Sequence, residues 1–408
     1  MAAGRTRRGH GRGATRAGFV IAVLALVACA GDRGFTVTEA DGVEIVESYR
    51  PAWGDEAAWS IDGTPKLSIP AWSEPHGPDS VHLADATRLP DGTVIAANRH
   101  TGEIGWFDRD GRPVRRAGGF GTGAGEFQSL GQVMAIRDSL WAFDGMGRWN
   151  VFDLEGDLLA TLYLEPHGGG WSGLEALSRS DIVLVPGGSA RVASPPGTGR
   201  HRPSMPILRY ARAGAAIDTF AVLPGPEVTL LQAGETNVHM REPFGHATVL
   251  HGGAERFYLG TGDRMEIEVY DDAGFLERIL RIPGLDLRLS DEDWAAYVEE
   301  TTASLAAGPT PGAAEVLRTL PKPAARPAYS RFLEDALGNL WVAEHVPSPR
   351  PTPRRPATTW FVFDPDGRWL GRVDTPAGLH VVEIGPDYVL GIQRTSTGTE
   401  LRVHDLSR

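Results

Sequence analysis

The sequence is nearly without cysteine and lysine. Cys29 is the single cysteine among 408 residues, so no disulfide can form within the chain and thiolate zinc sites are excluded. Lys66 and Lys322 are the only lysines, and the remaining basic charge is arginine. No apolar run reaches the roughly 20 residues that a membrane-crossing helix needs. The zinc-protease pattern H-E-x-x-H, the phosphate-binding loop and the nucleophile turn G-x-S-x-G are all missing. Gly118–Gly125 is not a dinucleotide fingerprint, because Ala124 stands where the third glycine is needed and no strand–helix unit follows. The formal charge of −12 argues against nucleic acid, whose phosphates require a basic surface.

What is present begins at the N-terminus. Arg5, Arg7, Arg8, Arg12 and Arg16 precede an apolar run from Gly18 to Ala28, which is the pattern of a secretory signal peptide. The run ends Leu26-Val27-Ala28-Cys29, which resembles the lipobox of bacterial lipoproteins. The resemblance implies cleavage before Cys29, a diacylglycerol on its sulfur and a membrane anchor, which more than one acyl chain makes stable. A plain signal peptide with an incidental cysteine is the other reading; the position of the sole cysteine favours the lipoprotein. Arg7-Arg8 is a fragment of a twin-arginine export signal, and no more of that signal follows. Ala30 replaces the Asp that commonly retains lipoproteins at the inner membrane, which points to the outer membrane, facing the periplasm. Loss of residues 1–28 removes five arginines and moves the formal charge from −12 to −17.

The rest of the chain repeats. An aromatic-Asp-x-x-Gly turn closes short alternating strands at Phe107–Gly111, Phe152–Gly156, Tyr270–Gly274 and Phe363–Gly367, with a degenerate copy at Tyr210–Gly214 and a truncated one at Val403–Asp405. Asp bonds the local backbone and Gly accepts positive φ, so both suit tight turns. A hairpin of two apolar strands precedes each turn, as in Thr87–Ala96, Val133–Ala142, Phe332–Val342 and Val381–Leu390. Each unit reads as strands A, B, C and D, and six units predict an all-β, six-bladed β-propeller of four-stranded blades. The last unit runs out after strand C, so a strand near Lys66–Ile69 is expected to supply its D strand.

Residues 118–156 resemble an NHL repeat, carried by Gly118-Gly119-Phe120-Gly121, Gly123, Gly125, Glu126 and Phe127, then Trp141–Asp144, Arg148 and Val151-Phe152-Asp153. Residues 329–367 and 247–274 match less completely, and the 170–227 unit departs most. From about residue 60 onward the chain looks like the NHL-like propeller lipoproteins of bacteria. That resemblance implies a fold but no single activity, since such propellers include binding modules, lactonases and lyases. The expected organisation is a signal peptide at 1–28, a lipidated tether and approach segment at 29–60, and the propeller at 61–408.

Every A–B and C–D turn is short, whereas long insertions occupy 186–206, 224–246, 283–328 and 346–358. All four are B–C or D–A connections and therefore emerge on one face, which becomes the expected working surface. A face that tolerates insertions because it touches nothing is the competing reading. The 283–328 insertion, between blades four and five, predicts helix. Ser290 and Asp293 form a capping box, Trp294, Tyr297, Val298 and Leu305 share a face, and a second helix spans Pro311 to Leu320. The arginines of Pro347–Pro356 lie in an extended, solvated segment.

B-strand ends and following turns bring Arg99, His100, Asp144, Arg148, Asp263, Arg264, Glu344, His345 and Arg394 to the insertion-bearing face. Arginines among carboxylates and imidazoles there could bind an anionic ligand. An arginine before strand C could equally belong to the repeat itself. His82, His246 and His380 precede A strands, which line the channel, and could converge on a zinc or other divalent metal. Asp108/Asp110 and Asp364/Asp366 lack the other ligands of a calcium loop and read as turn residues. The first reading is a membrane-anchored, non-catalytic binding or scaffold module without cofactor, its protein or small-molecule ligand unspecified. A metal-dependent propeller hydrolase or lyase, with zinc or calcium in the channel, is the alternative. Labelled palmitate is expected to enter the protein and to be lost in Cys29→Ser; continued labelling of that variant would overturn the anchor.

Overall fold

This computed structural model describes residues 34–72, 83–164, 176–177, 182–186, 199–233, 236–242, 244–306, 313–345, 357–395 and 398–408. The chain is mostly β. It opens with β1 (Phe35–Ala40), β2 (Val43–Ser48), β3 (Ser60–Ile61) and β4 (Leu67–Pro70). Sheet 1 holds β5 (Leu83–Arg88), β6 (Val94–Asn98), β7 (Glu103–Phe107) and β8 (Pro113–Gly118). Sheet 2 holds β9 (Leu130–Ile136), β10 (Ser139–Asp144), β11 (Arg148–Asp153) and β12 (Leu158–Tyr163). Next come β13 (Ala176–Leu177), β14 (Ile182–Pro186), β15 (Gly199–His201), β16 (Ser204–Ala211) and β17 (Ala216–Pro224). Sheet 3 is β13-β14-β16-β17, while β15 joins β18 (Val228–Ala233) and β19 (Thr236–Arg241) in a small separate sheet. Sheet 4 holds β20 (Val249–Gly252), β21 (Arg256–Gly260), β22 (Glu266–Asp271) and β23 (Leu276–Arg281). Helices α1 (Asp291–Ala306) and α2 (Ala313–Thr319) intervene. Sheet 5 holds β24 (Arg331–Glu334), β25 (Leu340–Ala343), β26 (Thr359–Phe363) and β27 (Trp369–Asp374). Sheet 6 holds β28 (Leu379–Ile384), β29 (Tyr388–Thr395) and β30 (Gly398–Ser407), completed by β4. Among the described residues no helix is long and apolar enough to cross a membrane.

The repeated turns form for the chemical reason their residues suggest. Asp108 Oδ1 accepts the backbone N–H groups of Asp110 and Arg112, and Asp364 Oδ1 those of Asp366 and Arg368. The closing glycines Gly111 and Gly367 sit at φ of 80° and 84°, where an L side chain is disfavoured. These carboxylates are thus consumed by the turns.

Strand periodicity then builds the core. Alternate residues point to opposite faces, and both faces of a sheet are buried against neighbours. In β6, Val94 and Ala96 join the cluster shared with sheet 6, while Ile95 and Ala97 join the one shared with sheet 2. In β25, Leu340 and Val342 pack toward sheet 4, and Trp341 and Ala343 toward sheet 6. Further clusters join sheet 2 to sheet 3 through Trp149 and Tyr210, and sheet 3 to sheet 4 through Ile207 and Phe257.

As the repeat count requires, β4 pairs antiparallel with β30, placing Leu67 opposite Val403 and Ile69 opposite Leu401. Of the tether and approach segment expected at 29–60, residues 35–48 form strands. β1 and β2 form a hairpin through Asp41 and Gly42, both at positive φ, and β2 adds parallel to β23 at the edge of sheet 4. The chain next crosses sheet 5, where the N–H groups of Ala52 and Trp53 donate to the carbonyls of Trp369 and Leu370 at 3.0 and 2.9 Å. Trp53 and Trp59 pack on the cluster between sheets 5 and 6, and the Arg408 guanidinium lies 4.4 Å from the Trp59 ring centroid. Residues 35–70 are therefore a strap over three sheet edges, because alternating apolar residues and an Asp-Gly turn make this segment a strand former.

A Cβ at Gly371 would clash with the Trp53 ring. Gly371→Ala is expected to unseat the strap at a cost of about 1–3 kcal/mol, read as a lower urea midpoint. An unchanged midpoint would show that Trp53 does not seat on sheet 5.

Candidate functional site at the loop-bearing end

Three insertions fold together. The connection within sheet 3 supplies β15, and the connection to sheet 4 supplies β18 and β19. The connection to sheet 5 supplies the helices. Ser290 Oγ accepts the Asp293 N–H at 2.9 Å and donates to Asp293 Oδ2 at 2.6 Å, as the capping pattern predicts. Tyr297, Leu317 and Leu320 bury against Phe244, with Trp294 and Val298 alongside. The Leu305 side chain lies outside the described ones. The helices therefore pack on the 224–246 connection and form a cap, and each contributing connection leaves its sheet at the B–C or D–A end.

Ion pairs tie the cap together. Arg202 grips Asp263 at 2.7 and 3.0 Å and donates to the carbonyls of Thr261 and Gly225 at 2.7 and 3.2 Å. Burial would raise the Asp263 pKa, but hydrogen bonds from Thr261 and Arg202 outweigh it and hold it below the usual carboxylate range. Glu242, whose carboxylate is buried, accepts from Thr229 Oγ1 and from Arg200 at 3.1 Å. Glu227 sits 3.2 Å from His246 Nδ1, and Arg326 2.8 Å from Glu344. Arg202 and Glu242 carry no sequence signal beyond lying in insertions.

The described members of the expected site each make local contacts. Asp144 and Arg148 are buried as a 2.8 Å pair. Asp144 also accepts the N–H groups of Gln128, Ser129 and Met146, while Arg148 donates to the carbonyls of Gly121, Thr122, Gly123 and Glu126. Their hydrogen bonds therefore clamp the glycine-rich 118–127 loop, the role an arginine before strand C plays within the repeat. Arg99 Nε donates to the Leu130 carbonyl at 3.3 Å, and His100 is exposed. Arg264 is exposed and paired with Glu266 at 2.5 Å. The His345 ring lies 6.0 Å from that of Phe244, tilted by 52°. Arg394 Nε is buried with no hydrogen-bond partner among the described residues. His82 lies outside the described residues, His246 faces Glu227, and His380 Nε2 is 3.3 Å from Arg331 Nη1. Among the described residues no three His, Cys, Asp or Glu side chains lie within reach of a common metal ion.

The polar groups that do converge lie on the first strands of the sheets. His251 Nε2 on β20 accepts the Glu334 N–H of β24 at 3.0 Å. Arg331 on β24 donates to the Val381 carbonyl of β28. Glu383 on β28 accepts from Thr87 Oγ1 and the Arg88 N–H of β5 at 2.5 and 3.2 Å. Asp85 on β5 accepts the Val133 N–H of β9 at 3.1 Å. Sheets 4, 5, 6, 1 and 2 are thus stitched in turn, side chain to neighbouring backbone. The sequence marks these residues only as polar interruptions of alternating apolar strands.

Burial pushes the Asp85 pKa up to about 7, against the opposing pull of the Val133 N–H and Arg331, and pushes His251 down to about 3. Asp85 nevertheless keeps partial solvent contact. Burial also raises the Glu383 pKa, opposed by its hydrogen bonds from Thr87, Tyr388 and Arg88.

No known protein family and no curated protein matches the sequence. Among solved structures the chain is similar to a DUF4221 family member from Bacteroides vulgatus, at 10% identity and TM-score 0.49, over 86% of this chain and 99% of that one. It is also similar to a protein from Bacteroides fragilis named provisionally as exported, at 11% identity and TM-score 0.45, over 89% and 99%.

The two buried titrations act on stability with opposite sign. Asp85 binds its proton more tightly folded than unfolded, so its contribution is complete below 3.8 and lost as pH rises through about 7. His251 contributes fully above 6.5, and that contribution falls away as pH drops toward about 3. Asp85→Asn is therefore expected to gain stability relative to the parent as pH rises from about 4 to 7, read as diverging urea midpoints. Parallel midpoints would show that the Asp85 carboxyl is not held neutral.

Proposed function

We propose that this chain is an envelope lipoprotein, anchored through Cys29 in the outer membrane and facing the periplasm, that serves as a non-catalytic binding module. In this reading the six sheets are the blades of a closed propeller. Six apolar clusters join the sheets pairwise, including sheet 6 to sheet 1, and β4 completes the last sheet. The stitches between first strands follow the same circular order.

The observation that carries the binding reading is the cap. Two connections bury against each other around Phe244, and a third joins them where β15 pairs with β18, at the end where B–C and D–A connections emerge, while the opposite turns remain minimal. The ion pairs of Arg202, Glu242 and Arg326 hold its backbone in one arrangement, which lowers the entropy lost when a partner binds. His100, Glu344, His345 and Arg394 border this end and would supply polar contacts to that partner.

Photo-crosslinking residues at exposed Glu292 and Arg318, on the helices, are expected to give adducts in intact envelopes. The same group at Leu337 or Phe275, on the short-turn end, is expected to give none. Adducts confined to Leu337 and Phe275 would reverse the assignment of the working surface.

A further inference from the structure

An outer edge strand invites pairing with another chain, because alternate residues point their N–H and C=O groups away from the sheet. The fourth strands of sheets 1 to 5 carry a protection against this. Register between third and fourth strand shifts at Trp106/Phe107, Val151/Phe152, Arg209/Tyr210, Val269/Tyr270 and Val362/Phe363. Each of β8, β12, β17, β23 and β27 therefore bears a bulge, which bends the edge away from a would-be partner. β2 then covers β23 and makes β1 the outer strand of sheet 4. β1 has no such device. Its pairing with β2 runs from Phe35 opposite Ser48 to Ala40 opposite Val43 without a shift, and it holds neither proline nor lysine. Among the described residues no strand pairs on its outer side, and Val37 to Ala40 are exposed.

The phase of the hairpin's hydrogen bonds decides which groups point outward. The Tyr49 N–H donates to the Gly34 carbonyl at 2.9 Å, so Gly34 and Tyr49 form a hydrogen-bonded pair. Such pairs alternate with non-hydrogen-bonded ones along an antiparallel ladder. Phe35, Val37 and Glu39, opposite Ser48, Val46 and Glu44, are therefore non-hydrogen-bonded positions, with N–H and C=O directed away from β2. An antiparallel strand centred on Val37 meets all of them at once. When that strand is another β1, Val37 faces Val37, Phe35 faces Glu39 and Thr36 faces Thr38. The register is its own two-fold image, as an isologous contact requires. It sets a β-branched side chain against its like and hydroxyl against hydroxyl, and it puts no carboxylate opposite another.

Charge permits the approach. Of the acids on this hairpin, Glu44 pairs with Arg278, and Glu47 with Arg281 at 3.3 Å. Glu39 remains, and the register places it opposite an aromatic ring. We infer that β1 is a self-association edge: two copies of the chain join β1 to β1 about a two-fold axis, and sheet 4 runs on from one copy into the other. A second copy is the occupant the strand itself selects, since one stretch of sequence supplies both sides and every outward group finds its match. The contact is made by a sheet edge and not by the cap, so it stands or falls apart from the partner surface proposed above.

The test uses the purified full chain under mild oxidation, with the parent and its Cys29 as reference. Opposed residues of a hydrogen-bonded pair have Cα atoms about 5.5 Å apart, within disulfide reach. Val37→Cys is therefore expected to give a thiol-reversible dimer several-fold above the parent level. Glu39→Cys is expected to stay at that level, because its two copies stand about 14 Å apart along the strands. No excess dimer at Val37→Cys, or equal yields at both positions, overturns the pairing. Light scattering is expected to give a dimer mass for the parent and a monomer mass for Val37→Pro, since proline removes an N–H that the hairpin does not use. A monomeric parent, or a dimeric Val37→Pro, overturns it as well. Linkage of Val37→Cys in intact cells only to a chain of another mass assigns the edge to a different protein and overturns self-association.

Discussion

Sheet 6 cannot be completed from its own sequence neighbourhood, and the rest of the structure depends on how that is solved. Its first three strands lie at the C-terminus and its fourth, β4, comes from the N-terminal side of the whole repeat array. Pairing Leu67 with Val403 satisfies backbone groups along β30 that would otherwise form an open edge. The same pairing constrains the path of the strap at residues 35–70. The strap over sheets 4 and 5 follows from it, since the chain must travel from one side of the array to the other.

The second organising constraint is burial on both faces. In a sheet with one solvated face, a residue and its neighbour have different fates; here both enter cores, but different ones. That is why β6 and β25 read as continuous apolar runs while dividing their side chains between two clusters. The first strands add a polar version of the same joining. His251, Arg331, Glu383 and Asp85 each direct a hydrogen bond to the next first strand, which gives these half-buried ionisable groups a structural role.

Much of this was legible in the residues. Asp and Gly at fixed positions mark the turns, alternation marks the strands, and the missing fourth strand of the last unit points to residues near Lys66. The insertions are visible as length between strands, and the Ser290 cap as a local pattern. The hairpin at 35–48 was legible too, since Asp41-Gly42 between alternating strands is a strong hairpin signal; only its position after the lipobox-like segment suggests a tether. What no local pattern carries is where that hairpin docks, because parallel pairing with β23 joins segments about 230 residues apart. The candidate site is legible in part. Arg148 and Asp144 look the same in sequence whether they face a ligand or clamp a loop. Arg200, which holds Glu242, becomes visible only when two insertions meet.

The pairing of β4 with β30 also sets an order of events during synthesis. The N-terminal partner is made first and must wait for nearly the whole chain before its own partner exists. Until then the edges that the strap and β4 will cover stay open, and contacts so distant in sequence form slowly. A chain made from its N-terminus would thus carry β4 and the strap while its last sheet is unfinished. Protection of that incomplete intermediate against aggregation becomes part of the protein's biology.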